Sequence, residues 1–474
     1  MASWNASKQR LMTASGTTYR YELQDVSEPN LLREVFPYDA VPKVVFDGVT
    51  EELDPAPEFY ITDTTFRDGQ QARPPYTVQQ IVDLYTLLHR LGGPQGIIRQ
   101  AEFFLYADAD REAVRRCLAL GYQFPEVTGW IRAVKSDFKL VKEMGLKETG
   151  ILTSCSDYHI FLKLKKTRRQ AYEDYLSIVK DALNAGIHIR CHLEDATRAD
   201  FYGFVVPFVS ELMRLREESG LPIKIRVCDT MGFGVPFPGA ALPRSVPKLI
   251  QGLRRECGVP PECLEWHGHN DFHKVLVNAS TAWLYGCMYA NGTLLGYGER
   301  TGNPPLEGLV MEYVALTGET NGMDTTVISE IAQYFEQEIK YQIPPNYPFV
   351  GRDFNVTRAG IHADGLLKDE EIYNIFDTTK ILGRPPRVAV DKTSGTAGVS
   401  WWINTCLNLP PAQRVDKKAE SVRKITEWVD AQYRQERTTS ISDEEMLSQV
   451  RRHLPELMPA MEKQWTGTNA PPSR

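Results

Sequence analysis

Between Phe59 and Thr317 the chain alternates short apolar runs with longer amphipathic segments, the pattern of repeated βα units wound around a parallel sheet. Eight strands are predicted, over residues 59–63, 97–105, 124–128, 150–154, 188–194, 223–229, 263–270 and 288–295. The segments between them read as helices with ordinary punctuation. Thr77 and Gln80 make a capping box, Val78, Ile81, Tyr85 and Leu88 recur at helical spacing, and Gly92-Gly93 stops the run. Another helix puts Tyr172, Tyr175, Leu176, Val179, Ala182 and Leu183 on one face and ends at Gly186. Eight such units in about 260 residues fit a closed (β/α)8 TIM barrel of the α/β class better than an open, doubly wound sheet.

Beyond Thr317 the pattern changes to acidic and mixed helices, with Pro344-Pro345 and Pro385-Pro386 marking linkers. Mainly helical lid subdomains are expected there. The predicted organisation is an N-terminal extension over 1–55, a candidate dimerisation arm; a catalytic barrel over 56–320; a linker and lid subdomain over 321–400; and a helical region over 401–474. Within the last, 415–459 reads as helix before a loose Gly-Thr-Asn-Ala-Pro-Pro tail, and no segment of the size used for leucine feedback control is expected.

Active sites of such barrels sit where strands end at the C-terminal face, and the unusual polar residues cluster there. The first strand ends in Asp63-Thr64-Thr65-Phe66-Arg67-Asp68-Gly69-Gln70-Gln71 and the fifth in Arg190-Cys191-His192-Leu193-Glu194-Asp195. The sixth ends in Asp229-Thr230-Met231-Gly232, the seventh in His267-Gly268-His269-Asn270-Asp271, and the eighth in Gly296-Tyr297-Gly298-Glu299-Arg300-Thr301-Gly302-Asn303. His267 and His269, two apart on a strand, put both imidazoles on one side, as two ligands of one ion must. With an aspartate from the first strand they make a two-histidine, one-carboxylate set with open positions. A hydrogen-bonded pair of barrel histidines is the alternative, and the carboxylates at other strand ends favour metal.

Nitrogen and oxygen donors without thiolate suit manganese, cobalt, zinc, magnesium or iron. Such an ion can bind a 2-oxo acid through its carboxylate and keto oxygens and polarise the carbonyl. Arg67, beside Asp68, offers a cation for the same oxygen, or it pairs with Glu299 or Glu194 at the barrel mouth.

Composition narrows the field further. A chain of 474 residues with 42% apolar content implies a large domain with appendages. Its net charge of −7 argues against a nucleic-acid partner. The basic run Lys163, Lys165, Lys166, Arg168, Arg169 reads as a solvated helix start. Residues 1–10 lack the apolar stretch of a leader, and no segment approaches the roughly 18 apolar residues of a membrane span, so a cytoplasmic protein without a membrane partner is expected. Cys117, Cys155, Cys191, Cys228, Cys257, Cys263, Cys287 and Cys406 are scattered without CxxC pairing and read as reduced, mostly buried thiols.

Together the ends of the first, seventh and eighth strands resemble the DRE-TIM metallolyase superfamily. Gly360-Ile361-His362-Ala363-Asp364-Gly365-Leu366-Leu367-Lys368, followed by Tyr373, resembles its Claisen-condensing branch of isopropylmalate, citramalate and homocitrate synthases. The resemblance spans residues 59–396 and implies a metal-dependent acyltransferase that joins acetyl-CoA to a 2-oxo acid. It assigns the metal to Asp68, His267 and His269, with Asn303 close to the ion and Gln71 behind the ligands toward the substrate. Manganese is the first choice, with cobalt, zinc or magnesium as alternatives.

Arg67 then stabilises the developing oxyanion, Thr230 holds the 1-carboxylate of the 2-oxo acid, and Glu194 and Glu299 position substrate or move protons. His362 and Tyr373 match residues that enter the neighbouring subunit's barrel and assist enolisation of acetyl-CoA, which implies a homodimer with shared sites. On residue type alone His362 is a surface-loop histidine between two glycines, and ordinary packing suits Tyr373 and Glu194 equally well.

Arg190 carries the inference about substrate. With His192 and Glu194 it alternates along the fifth strand, so its side chain points into the barrel. An arginine there resembles the homocitrate-synthase pattern, in which it contacts the distal carboxylate of a dicarboxylic 2-oxo acid. A buried guanidinium without an anionic partner is costly, which gives a physical reason for such a substrate. His192 stands where serine is usual, and its bulk shortens the pocket toward oxaloacetate. The stretches Asp68 to Thr77 and His269 to Lys274 resemble the Re-citrate synthases, a branch of the same family. The expected reaction is acetyl-CoA plus oxaloacetate and water giving citrate and CoA, with 2-oxoglutarate or another 2-oxo acid as the alternative. A lyase of the superfamily, expected to lack the His362 and Tyr373 segment, and a non-catalytic binding protein are the remaining classes.

Overall fold

Eight parallel strands close into a barrel in the computed structural model, which describes residues 21–457 and the backbone pairing of Ser3–Asn5 with Arg10–Met12. The strands are β1 (Tyr60–Asp63), β2 (Ile98–Phe104), β3 (Glu126–Ile131), β4 (Glu148–Ser154), β5 (His188–Glu194), β6 (Ile223–Asp229), β7 (Leu264–Gly268) and β8 (Tyr289–Gly292). Each pairs with its sequence neighbours, and β8 closes on β1. Each is followed by a helix: α1 (Val78–Gly92), α2 (Asp108–Ala119), α3 (Phe138–Glu143), α4 (Arg168–Asn184), α5 (Val206–Ser219), α6 (Val246–Cys257), α7 (Val275–Leu284) and α8 (Leu306–Thr317). This is the (β/α)8 architecture that the alternation of the sequence predicts.

The strands alternate as the pleat requires. Along β6, Ile223, Ile225 and Val227 are buried among apolar neighbours, while Arg226 reaches across the interior to β2 and β7. β3 starts two residues later than predicted, at Glu126, because Pro125 has no N–H to give the ladder. α1 opens on the Thr77–Gln80 capping box and stops at Gly93, where φ is +66°. All eight cysteines are unpaired, and all but Cys406 are buried.

The basic run departs from its predicted solvated face. Arg168, at the start of α4, is fully buried, with Nε 2.8 Å from Asp157 and Nη1 2.9 Å from Asp200. It donates to the Gln24 carbonyl as well, at 3.0 Å. Its burial follows from what lies over it, because residues 21–55 run along the outside of the barrel as a strap. Asn30 N donates to Asp157 and Tyr158 Oη to the Leu31 carbonyl. Further along, Asp47 pairs with Lys248 at 2.6 Å, and Glu51 and Asp54 pair with Arg255 and Arg254.

The described residues form two compact units, which meet in sequence between Val327 and Ile328. The second is mainly helical. A short parallel pair, Val356–Thr357 with Arg387–Val388, accompanies helices Gly360–Lys368, Thr378–Leu382, Gly395–Cys406, Glu420–Arg434 and Asp443–His453. Val399, Trp402, Ile403, Ile425, Met446 and Val450 lie in its larger core cluster. The loose tail expected at the end of the chain lies outside the described residues. Among the described residues no helix is long and apolar enough to cross a membrane.

Candidate active site

At the end of β1 the chain turns sharply, and the Thr64 carbonyl accepts the N–H groups of Arg67, Asp68 and Gly69 at 3.1, 2.8 and 3.2 Å. This turn buries Arg67 and Asp68 at the barrel mouth. Asp63, the other aspartate of the segment, is used within it: it accepts from Thr65 N at 3.1 Å and Thr65 Oγ1 at 2.5 Å. Burial pushes its carboxyl up to about 7. Of the two aspartates, Asp68 therefore faces the histidines.

His267 Nε2 lies 3.3 Å and His269 Nε2 3.8 Å from Asp68 Oδ2, and the ligand atoms of the three side chains lie within 4.8 Å of one another. Asn291 fixes the state of His267. Its Nδ2 donates to Thr62, so its Oδ1 faces His267 Nδ1 at 2.7 Å and takes the ring proton. In the neutral ring this leaves the lone pair of Nε2 pointing at a carboxylate.

Two acceptors in such contact repel unless a cation stands between them, and buried Asp68 Oδ2 has no hydrogen-bond donor. Burial brings His269 down to about 4, so its imidazole is neutral. Burial alone would raise Asp68, but Arg67 outweighs it and holds the carboxylate well below its usual range. Asn303 donates to the Gly268 carbonyl at 3.1 Å, and its buried Oδ1 has no partner. Gly298 makes room for that oxygen, since a Cβ there would stand 1.9 Å from it. These residues fit a divalent ion.

Beneath the mouth lies a feature that the sequence reading missed, an ionic layer across the barrel interior. Glu102 Oε2 accepts from Arg67 Nε at 2.8 Å and from Arg226 Nη1 at 2.9 Å. Arg226 Nε reaches Glu265 at 2.7 Å. Arg190 stands 3.3 Å from both Glu148 and Glu265 and donates to Thr128 at 2.9 Å.

Arg190 therefore has anionic partners within the protein, which corrects the premise that a substrate carboxylate must offset its charge. Arg67 is likewise held by Glu102 and Asp68 rather than by Glu299 or Glu194. Burial would raise Glu102, but Arg226 and Arg67 hold it well below the ordinary range.

His192 points into the same layer, with Nε2 3.3 Å from Glu102 Oε1. Its ring occupies space left by Gly150, where a Cβ would meet Nε2 at 2.5 Å. Burial, then the neighbouring Arg226, lowers it from the ordinary 6.5 to about 3. A histidine whose folded pKa is depressed contributes stability above its unfolded pKa and loses it as pH falls toward the folded one. The difference in unfolding free energy between wild type and His192→Gln is thus expected to fall by about 1.4 kcal/mol per pH unit between roughly pH 6 and 4. Urea titrations of both proteins across that range measure it, and a pH-independent difference would contradict the neutral state.

The other residues singled out from the sequence are spread around the mouth and beyond it. Thr230 Oγ1 accepts the Asp195 N–H at 2.8 Å, leaving its hydroxyl proton to donate elsewhere. Glu194 closes β5 and is held by Ser154, His159 and Lys163. Burial would raise it, but His159, Ser154 and Lys163 bring it down to about 2. Gln71, at the end of the one-turn helix Asp68–Gln71, and Glu299 are exposed. His362 and Tyr373 belong to the second unit, where their ring centroids lie 4.3 Å apart.

Comparison with known proteins agrees with this chemistry. A family model described as HMGL-like matches residues 58–335. The chain belongs to the HMGL-like family. Within that family's range lie all eight barrel strands, the Asp68, His267 and His269 cluster, and the ionic layer. Similarity also extends beyond the HMGL-like segment. The Citrate (Re)-synthase of Syntrophus aciditrophicus (strain SB) is 62% identical over 457 residues, covering 96% of this chain and 73% of the relative. That of Clostridium kluyveri is 56% identical over 446 residues, covering 94% and 98%. The 2-phosphinomethylmalate synthase of Streptomyces hygroscopicus is 38% identical, covering 90% and 96%.

Proposed function

We propose that the chain condenses acetyl-CoA with oxaloacetate on the Re face, giving citrate and CoA. The observation that carries this reading is the 62% and 56% identity, over nearly the whole chain, to two proteins named Citrate (Re)-synthase. In the reaction the acetyl methyl group loses a proton and its carbon bonds to the keto carbon. The keto oxygen takes up a proton, and water hydrolyses the thioester.

A divalent ion, manganese first and cobalt, zinc or magnesium as alternatives, held by Asp68, His267 and His269 with Asn303 beside it, supplies the Lewis acidity that polarises the keto group. Arg67, fixed by Glu102, directs its charge at the oxygen where negative charge develops. The free Thr230 hydroxyl proton suits the 1-carboxylate. Glu194, held ionised by His159, Ser154 and Lys163, is suited to position substrate and unsuited to give a proton. Gln71 and Glu299 line the approach. The bulk of His192 favours oxaloacetate over 2-oxoglutarate.

His362 and Tyr373 act on acetyl-CoA in the neighbouring barrel of a homodimer. The strap, with Tyr38, Val41, Phe46, Val49 and Leu53 exposed, gives such a dimer an apolar surface. The enzyme is placed in the cytoplasm.

The test is CoA release from acetyl-CoA by metal-reconstituted protein, with oxaloacetate, 2-oxoglutarate, pyruvate and 2-oxoisovalerate side by side. Selective turnover with oxaloacetate is expected, followed by stereochemical analysis of citrate made from labelled acetyl-CoA. Selective turnover with another acid, or none with any, would overturn the assignment.

A further inference from the structure

Ser154, at the end of β4, and the following π-helical turn Tyr158–Lys163 enclose the Glu194 carboxylate. Ser154 Oγ donates to Oε2, His159 Nδ1 stands 3.0 Å from the same oxygen, and Lys163 Nζ reaches both oxygens, at 2.9 and 3.0 Å. Lys163 Nζ also lies 3.3 Å from His159 Nδ1.

An ammonium only donates, so that last contact asks Nδ1 to accept, whereas Glu194 asks it to donate. The carboxylate is the stronger acceptor and the nearer group, and the Lys163 donors already reach it, so Nδ1 carries the proton. On the other side of the ring, Nε2 is 3.6 Å from Asp195 Oδ2, and Asp195 is itself held by Ser156 Oγ at 2.5 Å and Arg198 at 3.0 Å. Both carboxylates thus constrain the imidazole, whose side chain is 17% exposed. The other titratable groups that act on Glu194 or are acted on by it are Cys155, Tyr175 and Cys228, all with their protons held on by burial.

We propose that His159 is a positioning residue for Glu194, holding its carboxylate ionised and oriented through an Nδ1–H donor that Lys163 reinforces. The inference rests on the reading of Glu194 as a carboxylate that positions substrate in the condensation. Nothing in the sequence pattern marks His159 beyond its place after the fourth strand, which is why it escapes a reading by motif.

The experiment compares kcat and KM at neutral pH for the full-length, metal-loaded wild type, His159→Asn, His159→Leu, Lys163→Met and Glu194→Gln, with metal content measured for each. Asparagine places an amide N–H where Nδ1–H stands, so His159→Asn is expected within about threefold of wild type. His159→Leu is expected to lose about tenfold in kcat, the size of one lost hydrogen bond to a charged group. Lys163, half-exposed, gives a variant less exposed to folding failure, and Lys163→Met is expected to lose about threefold.

Histidine 15N shifts read the ring directly, and a protonated Nδ1 is expected in wild type. An unprotonated Nδ1, or wild-type kcat in both His159→Leu and Lys163→Met while Glu194→Gln is impaired, would overturn the inference alone. A Glu194→Gln protein with wild-type turnover would overturn the Glu194 reading beneath it.

Discussion

His267→Ala protein is expected to bind manganese at least about 100-fold more weakly than wild type and to release no measurable CoA. The size follows from a comparison of roles. Loss of a group that merely orients a ligand costs about 10–100-fold in metal affinity or activity, and His267 is placed to be the ligand itself. Asn291, which orients its ring at 2.7 Å, gives the smaller companion effect, and Asn291→Ala is expected inside that range. Equilibrium dialysis with metal analysis reads both variants. Unchanged stoichiometry and affinity in His267→Ala would mean that the three side chains are a hydrogen-bonded cluster and that any ion binds elsewhere.

Replacing Glu102 with glutamine should strike folding and turnover together. The substitution preserves volume but leaves Arg67 and Arg226 in a sealed interior, each without the carboxylate that meets it at 2.8 or 2.9 Å. Breaking a buried pair in this way costs about 3–5 kcal/mol, to be read as a lowered urea midpoint. Arg67 also loses its anchor, so kcat should fall about 100-fold, in the range of losing one preorganised donor at the reacting oxygen. Removing the opposing charge as well, in Glu102→Gln/Arg226→Met, should recover part of the stability and none of the rate. A double variant no more stable than the single one would show that the two residues do not share their charge.

Much of this was legible from spacing. β5 and β6 lie where the sequence predicts them, because alternation and a terminal polar cluster bound them on both sides. The two histidines, Arg67 and Asp68 came from the same rule that strand ends carry the chemistry. The signal for the ionic layer was equally present: Gln100 and Glu102, Arg190 and His192, Lys224 and Arg226, Glu265 and His267 all alternate with apolar residues. What hid it was the expectation that a barrel interior is filled by branched apolar side chains, so Arg190 was considered without Glu148 and Glu265. Such pairings join residues far apart in sequence, and only closure of the barrel brings them together. Arg168 failed to read as buried for a related reason, since the strap that covers it arrives from residues more than a hundred positions earlier.

The ionic layer also constrains how the barrel can diverge. Glu102, Arg190, Arg226 and Glu265 each hold more than one neighbour, so a change at any single position leaves two or more buried groups short of a partner at once. Among descendants of this sequence these positions should therefore change in concert or remain fixed. An alignment of relatives should show them as correlated columns, whereas Ile223, Ile225 and Val227, which alternate with Arg226 on β6 and face apolar neighbours, should exchange for other apolar residues one at a time.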